Sequence, residues 1–222
     1  MHTHRVLALG GLAWTVLFLL SFSLAGEEPP ATAAGADIQS YFADWPAAAN
    51  ILYALSVLGL IAYLAVVGAA LLRSAETLLG AVALSGAVMF AALQAAGDIA
   101  FLSLTYHDPA DLSDVQARSM LAFHETSHTL QSYPMAAFVA SAGLVALRTG
   151  LLSRWLGWAG CALAAYLLVT GTPGLAGAAD YSHGSEAQVV GFLLFLLWVG
   201  ASSMGLARNR TPTSTRAAEL HR

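Results

Sequence analysis

The segment His124-Glu125-Thr126-Ser127-His128 has the H-E-x-x-H pattern, whose residue types and spacing suit metal-dependent hydrolysis. On a helix, residues four apart lie on one face, so both imidazoles can bind one divalent ion such as zinc. The intervening Glu125 then lies beside the ion and can take a proton from a polarised water molecule. The sequence therefore predicts His124 and His128 as metal ligands and Glu125 as the catalytic base.

A third ligand has to come from another part of the chain, because zinc sites that act on water use three protein ligands. The candidates on the same side of the predicted bundle are Asp98, His183 and Glu186. Other polar residues that reach this side are His107, Asp108 and Asp180. Gln94 and Gln131 share helix faces with Asp98 and His124, respectively, so we expect a polar pocket where these spans meet.

Two other interpretations of the same residues stay open. Asp98 could pair with a histidine across a helix interface, in a hydrogen-bonded network that fixes the register of two spans. A haem or another small molecule could occupy the pocket, but a bis-histidine haem needs ligands on opposing helices. Only His124 and His128 lie inside predicted spans, and both are on one helix. The sequence thus leaves open an enzyme and a non-enzymatic structural or ligand-binding protein.

The elements that position these residues are predicted to be membrane-spanning helices. A hydrophobic content of 58%, a charged content of 10% and a mean hydropathy of +0.68 exclude an ordinary soluble domain. Six apolar runs are long enough to cross a bilayer: 6–25, 47–72, 78–105, 119–147, 151–172 and 188–207. We therefore expect an all-α polytopic bundle over residues 1–207, followed by a disordered cytoplasmic tail at 208–222.

The placement of arginine predicts how this bundle is oriented. All nine basic residues are arginines, and Arg118 alone falls on the opposite side from the others. The positive-inside rule then places both termini in the cytoplasm and the polar pocket towards the outer face. A net charge of −4 without a basic face excludes nucleic acid as a partner. Membrane lipid is the expected partner, a hydrophobic small molecule or peptide is the expected substrate class, and an oligomer stays open.

Two features predict how the helices pack around the pocket. Pro134 lies inside the fourth predicted span and has no amide hydrogen, so the carbonyl near Leu130 loses its helical partner. We expect a kink there, beside the polar stretch. Small residues crowd the third span at 80–87, where they favour close helix approach in a membrane.

Residues 5–11, the aromatic segment at 41–45, the Ala- and Gly-rich third span and the sequence RWLGW at 154–158 together support a resemblance. In these features the chain resembles six-helix integral membrane proteins of unknown function from high-GC Gram-positive bacteria. The resemblance implies a location in the bacterial cytoplasmic membrane and carries over no activity or cofactor. The isolated H-E-x-x-H resembles that of zinc metallopeptidases, which implies zinc as the metal.

Overall fold

The computed structural model describes residues 2–26, 28–30, 32–106, 111–175 and 186–208, and over these ranges nine α-helices and no strand occur. In chain order the helices are α1 (His2–Ala8), α2 (Gly10–Ala25), α3 (Gly35–Ala43), α4 (Ala47–Leu72), α5 (Thr77–Tyr106), α6 (Asp114–Leu130), α7 (Ser132–Thr149), α8 (Arg154–Leu175) and α9 (Glu186–Arg208). The tail predicted to be disordered lies outside the described residues, except that Arg208 ends α9.

The described part of the chain contains six helical stretches that are long and apolar enough to cross a membrane. They are Arg5–Ala25, Ala47–Leu72, Thr77–Thr105, Asp114–Thr149, Arg154–Thr172 and Glu186–Arg208. Large apolar side chains cover the outside of the bundle, among them Ile51, Leu58 and Leu197, each about three-fifths exposed. Such a surface suits contact with lipid. The all-α class and the six predicted spans are confirmed.

The fourth span consists of two helices, α6 and α7, that meet at Gln131. A capping box starts α6: Ser113 Oγ accepts a hydrogen bond from the Gln116 amide (3.3 Å), and Gln116 Oε1 accepts one from the Ser113 amide (2.9 Å). Because Pro134 offers no amide hydrogen to the Leu130 carbonyl, the helix is interrupted one turn before it. This interruption, at the predicted place, directly follows the turn that carries the H-E-x-x-H residues.

Helix α5 packs against both α6 and α7, and small residues permit the close approach. Ala83 and Ala87 are fully buried. A Cβ atom on Gly86 would lie 2.8 Å from the Pro134 oxygen and from the Phe138 nitrogen. The packing role predicted for the small residues of the third span is therefore observed, and it holds α5 beside the interrupted helix.

The aromatic segment at 41–45 belongs to the short helix α3 and the turn after it, which cover the α5–α6 pair. Ile38 and Phe42 of α3 are buried in one cluster with Phe101 of α5 and Leu121 of α6. The Phe42 and Phe101 ring centroids are 5.0 Å apart. Since the Phe101 ring also lies 4.7 Å from the His124 ring, this apolar cover shields the histidine-bearing face of α6.

Candidate metal centre

Asp98 of α5 and His124 and His128 of α6 form a buried group between the two helices. One potential ligand atom from each residue lies within 4.8 Å of those of the other two. Two ligands of a tetrahedral zinc ion lie about 3.3 Å apart when both bonds are ~2.0–2.1 Å. Small side-chain movements would therefore close the group around one ion. The predicted meeting of the third and fourth spans is observed, and among the described residues Asp98 is the predicted third ligand that joins the histidines.

The imidazole of His124 is held in one tautomer by the backbone of α5. Its Nδ1 lies 3.1 Å from the Gly97 oxygen. Because a carbonyl oxygen only accepts, Nδ1 carries the proton and Nε2 keeps its lone pair. Metal-binding histidines commonly donate their second ring N–H to a carbonyl in this way, which fixes the ring orientation. His124 therefore presents Nε2 as the ligand atom.

His128 Nε2 lies 3.6 Å from Asp98 Oδ1. This distance exceeds that of an ordinary hydrogen bond and is close to the spacing of two ligands on one ion. On the other side of the ring, Gln131 Nε2 donates to His128 Nδ1 over 2.9 Å. Gln131 Oε1 is buried and has no hydrogen-bond partner in the part of the chain that the structure describes. Rotation of this amide would let Oε1 accept the Nδ1 proton and leave Nε2 for a metal.

The carboxylate of Asp98 is oriented by its own helix. Gln94, one turn earlier, donates from Nε2 to both Asp98 oxygens over 2.9 and 3.1 Å. The same Nε2 lies 3.3 Å from the Tyr53 hydroxyl of α4. The face shared by Gln94 and Asp98, predicted from their spacing, thus exists as a hydrogen-bonded pair. Polar partners of this kind hold a ligand in place before a metal binds.

Glu28, which sequence analysis did not single out, also reaches this group. Its Oε1 lies 3.9 Å from His124 Nε2 and is buried without a hydrogen-bond partner among the described residues. Burial, and less strongly the charge of Glu125, raises the pKa of the Glu28 carboxyl to about 7. In the sequence this residue belongs to an acidic loop after the first span, a pattern that gave no sign of a buried carboxyl.

The other predicted site residues occupy three kinds of position. Glu125 is half-buried, and its charge acts on Glu28, so it faces the same region as the histidines. Glu186 is the exposed first residue of α9 and is not part of the Asp98–His124–His128 group. The remaining candidates lie outside the described residues: His107, Asp108, Asp180 and His183. The role of Glu125 as a base stays a prediction.

Gly97 allows α5 to approach α6 at this site. A Cβ atom there would lie 3.1 Å from the Ser127 Cβ and 3.2 Å from the His128 Cδ2. We expect Gly97→Ala to displace the histidine turn, to lower the free energy of unfolding by about 1–3 kcal/mol, and to weaken zinc binding by ~10- to 100-fold. Thermal unfolding in detergent and zinc titration measure the two effects.

Gly200→Ala on α9 is the matched control for this substitution, because its Cβ atom would meet nothing nearer than 3.7 Å. The control should keep both the stability and the zinc affinity of the original protein. Equal losses in the two variants would contradict the close-packing role of Gly97.

The buried Glu28 carboxyl predicts a pH dependence of stability in metal-free protein. Its pKa rises from 4.5 in the unfolded chain to about 7 in the folded protein. Below pH 4.5 the group is protonated in both states, whereas above it the unfolded chain ionises first and the folded state loses stability until about pH 7. We expect a loss of roughly 3 kcal/mol over this interval.

Glu28→Gln should remove that loss in thermal unfolding scans recorded across the interval with a chelator present. Asp37→Asn, at an exposed carboxylate of α3, is the control and should keep the slope of the original protein. A slope that is unchanged by Glu28→Gln would show that Glu28 is not the group responsible.

A cavity of about 370 Å³ lies beside the two histidines and reaches α2, α8 and α9. Its polar wall is formed by Glu28, His124, His128, Gln131, Ser132 and Gln188. Gln188 connects the start of α9 to α8 at this wall, since its Nε2 donates a hydrogen bond to the Thr170 oxygen over 3.1 Å. The candidate metal centre is therefore accessible from an internal space large enough for a small ligand.

Comparisons of this chain with protein-family models, curated proteins and solved structures find no match. The chemistry of the Asp98–His124–His128 group and its cavity is accordingly the basis on which a function is assigned.

Proposed function

We propose that this protein is a bacterial integral membrane hydrolase whose divalent ion, zinc by its donor set, is bound by Asp98, His124 and His128. The observation that carries the proposal is the buried convergence of three ligand atoms within 4.8 Å, from Asp98, His124 and His128, of which the two histidines line a cavity. Two imidazoles and one carboxylate are a ligand set of hydrolytic zinc sites, in which a fourth position is left for water.

The charges around the site also favour a bound cation. The Glu28 carboxyl lies 3.9 Å from His124 Nε2, and the charge of Glu125 contributes to its raised pKa. Two of the described arginines form ion pairs away from the site, Arg118 with Asp114 (3.7 Å) and Arg148 with Glu76 (3.0 Å). Buried carboxylates are costly unless a positive charge compensates them. A divalent ion supplies that compensation, and its carboxylate ligand Asp98 is already oriented by Gln94.

The reaction that this arrangement supports is hydrolysis of an ester or amide in a lipid-like or peptidic substrate. When held by Asp98, His124 and His128, a divalent ion would supply polarisation of the carbonyl group and a lowered pKa of water. Glu125 takes one proton from that water as its oxygen bonds to the carbonyl carbon. The bond from this carbon to the leaving oxygen or nitrogen then breaks, and Glu125 passes the proton to the leaving group. A carboxylic acid and an alcohol or amine result.

The proposed location is the bacterial cytoplasmic membrane, with both termini in the cytoplasm and the cavity in the outer half. The distribution of arginine supports this orientation. The resemblance to six-helix membrane proteins of high-GC Gram-positive bacteria supports the proposed membrane, and not the orientation. Labelling of a cysteine introduced at Asp111 tests it, because a membrane-impermeant reagent should reach that position from outside intact cells. Labelling from the cytoplasmic side alone would reverse the orientation.

Zinc stoichiometry tests the proposed metal centre. Protein purified in detergent is stripped with a chelator, dialysed against zinc and analysed by mass spectrometry of its metal content. We expect one tightly held zinc ion per chain. Wild-type protein that holds no zinc, manganese, cobalt or other divalent ion after this treatment would refute a metal-dependent hydrolase.

A second candidate function is non-enzymatic, and the hydrogen bond from His124 to the Gly97 oxygen favours it. In that case the polar residues of α5 and α6 form an interhelical network that fixes the register of the two helices. Such a network predicts a metal-free protein that His128→Ala destabilises. The stoichiometry experiment therefore distinguishes the two functions.

A further inference from the structure

The cavity beside the candidate metal centre has two chemically different ends. One end, which we call the polar end, is the polar wall described above, with both histidines. The other, the apolar end, is formed by α2 and α9, with Leu19, Phe22, Val189, Phe192 and Leu193. A ligand that matches both ends has a polar group at the metal centre and a hydrocarbon portion between α2 and α9.

The apolar end faces the region that lipid occupies. Leu19 and Leu193 line the cavity, and each is 40% exposed on the outside of the bundle. Leu19 lies six residues before the end of α2, and Leu193 lies seven residues after the start of α9. At ~1.5 Å per residue, both are about 9–10 Å inside the ends of their helices. The cavity therefore opens sideways at a depth where hydrocarbon chains are found.

Helices α2 and α9, which border the opening, are joined by hydrogen bonds at positions before Leu19 in α2 and after Leu193 in α9. Thr15 Oγ1 donates to the Leu196 oxygen over 3.1 Å, and the Leu12 amide donates to Ser203 Oγ over 3.3 Å. Both contacts lie on the far side of Leu19 from the polar wall. Within the cavity lining the Phe18 ring of α2 also meets the Phe192 ring of α9, with centroids 5.3 Å apart, and the exposed Leu19 and Leu193 are their neighbours in sequence.

We infer that the substrate of the proposed hydrolase is a lipid ester, whose acyl chain reaches the metal centre sideways from the bilayer between α2 and α9. This inference rests on the proposed function, and it selects lipid over peptide. A peptide at the apolar end would bury backbone amides where the cavity wall offers no partners, which is costly in a hydrocarbon environment. An acyl chain has no such requirement.

The reaction on such a substrate is the hydrolysis of its ester bond. The oxygen of a water molecule bonds to the acyl carbon, and the bond from that carbon to the alcohol oxygen breaks. One water proton passes through Glu125 to the leaving alcohol. The products are a fatty acid and an alcohol headgroup.

The test uses photo-crosslinking in lipid nanodiscs of phosphatidylglycerol and phosphatidylethanolamine. The full-length, zinc-treated protein is illuminated with a monoacylglycerol whose acyl chain carries a diazirine, and the adducts are located by peptide mass spectrometry. We expect adducts on α2 and α9 around Leu19 and Leu193. Leu19→Trp fills the opening and should lower their yield about tenfold, the equivalent of losing roughly two buried methylenes.

Leu20→Trp is the matched control, because Leu20 is the next residue on α2, is 49% exposed and does not line the cavity. It should leave the adducts unchanged. Zinc content is measured in all samples. If adducts are absent, or are equally abundant in the two tryptophan variants, the lipid inference is wrong. Zinc that is still bound in those samples would show that the proposed metal centre is unaffected by that result.

If the adducts form but the protein holds no zinc, the proposed hydrolase function is wrong and only lipid binding remains. A parallel sample contains an acetylated hydrophobic tripeptide with a photoreactive leucine. Labelling of the cavity by this peptide in preference to the lipid overturns the choice of substrate class.

Discussion

His128→Ala is expected to abolish stoichiometric zinc binding. The substitution removes one of three protein ligands, so the dissociation constant should rise by more than the ~10- to 100-fold that follows loss of an outer partner. Asp98→Asn should have a similar effect, because it keeps the shape of the side chain and its contact with Gln94 but removes the charge that binds the ion. Zinc titration in detergent with a competing chelator measures both constants.

The control for this pair is Asp114→Asn, which makes the same chemical change at the start of α6. Asp114 is exposed and forms a 3.7 Å ion pair with Arg118. It should retain full zinc binding. The contrary result is that wild type and all variants are equally free of zinc, and that His128→Ala lowers the melting temperature. In that case the polar residues form an interhelical network, and the proposed hydrolase function is wrong.

Glu125→Gln is expected to abolish catalysis while zinc stays bound. An amide cannot accept a proton from water, and the loss of a general base lowers the rate by ~10²- to 10⁴-fold. The measurement is fatty acid release from a monoacylglycerol in nanodiscs, with zinc content determined in the same preparation. The reduction should fall on kcat, because the role proposed for Glu125 is to move a proton rather than to bind the acyl chain.

Glu76→Gln serves as the control for Glu125→Gln. Glu76 lies in the loop before α5 and pairs with Arg148, remote from the cavity lining. This variant should hydrolyse the substrate at the rate of the original protein. Full activity in Glu125→Gln would remove Glu125 from the mechanism, and loss of its zinc would make the residue a ligand or a structural support instead.

The spans and the histidine pair were predictable because the signals that specify them are local. Long apolar runs define helices that cross a bilayer, and Pro134 interrupts its helix through a missing amide hydrogen. The spacing of His124 and His128 places both on one face whatever the rest of the fold does, and the same holds for Gln94 and Asp98.

The choice of third ligand was not predictable, because it depends on how α5 is rotated and how closely it approaches α6. Asp98, His183 and Glu186 were equivalent by topology. In the described part of the chain, the missing side chain of Gly97 lets α5 come within contact distance of His128, and Asp98 joins the two histidines there. His183 lies outside the described residues. A glycine in a small-residue helix carries no mark in the sequence that distinguishes this role from ordinary packing.

Glu28 was missed for a related reason. Its position depends on the path of the chain between α2 and α3, which periodicity does not describe. The aromatic cover formed by α3 is similar, because the residues at 41–45 suit a lipid interface as well as they suit the α5–α6 surface that they contact. Tertiary contacts of loops therefore account for most of what sequence analysis did not find.

X-ray absorption at the zinc edge of purified, zinc-loaded protein tests the central claim most directly. The account predicts four nitrogen and oxygen ligands at ~2.0–2.1 Å, with multiple scattering from two imidazoles. His128→Ala should reduce that scattering to one imidazole in any zinc that remains. A spectrum with six oxygen ligands and no imidazole scattering would contradict the convergence of Asp98, His124 and His128 on one ion.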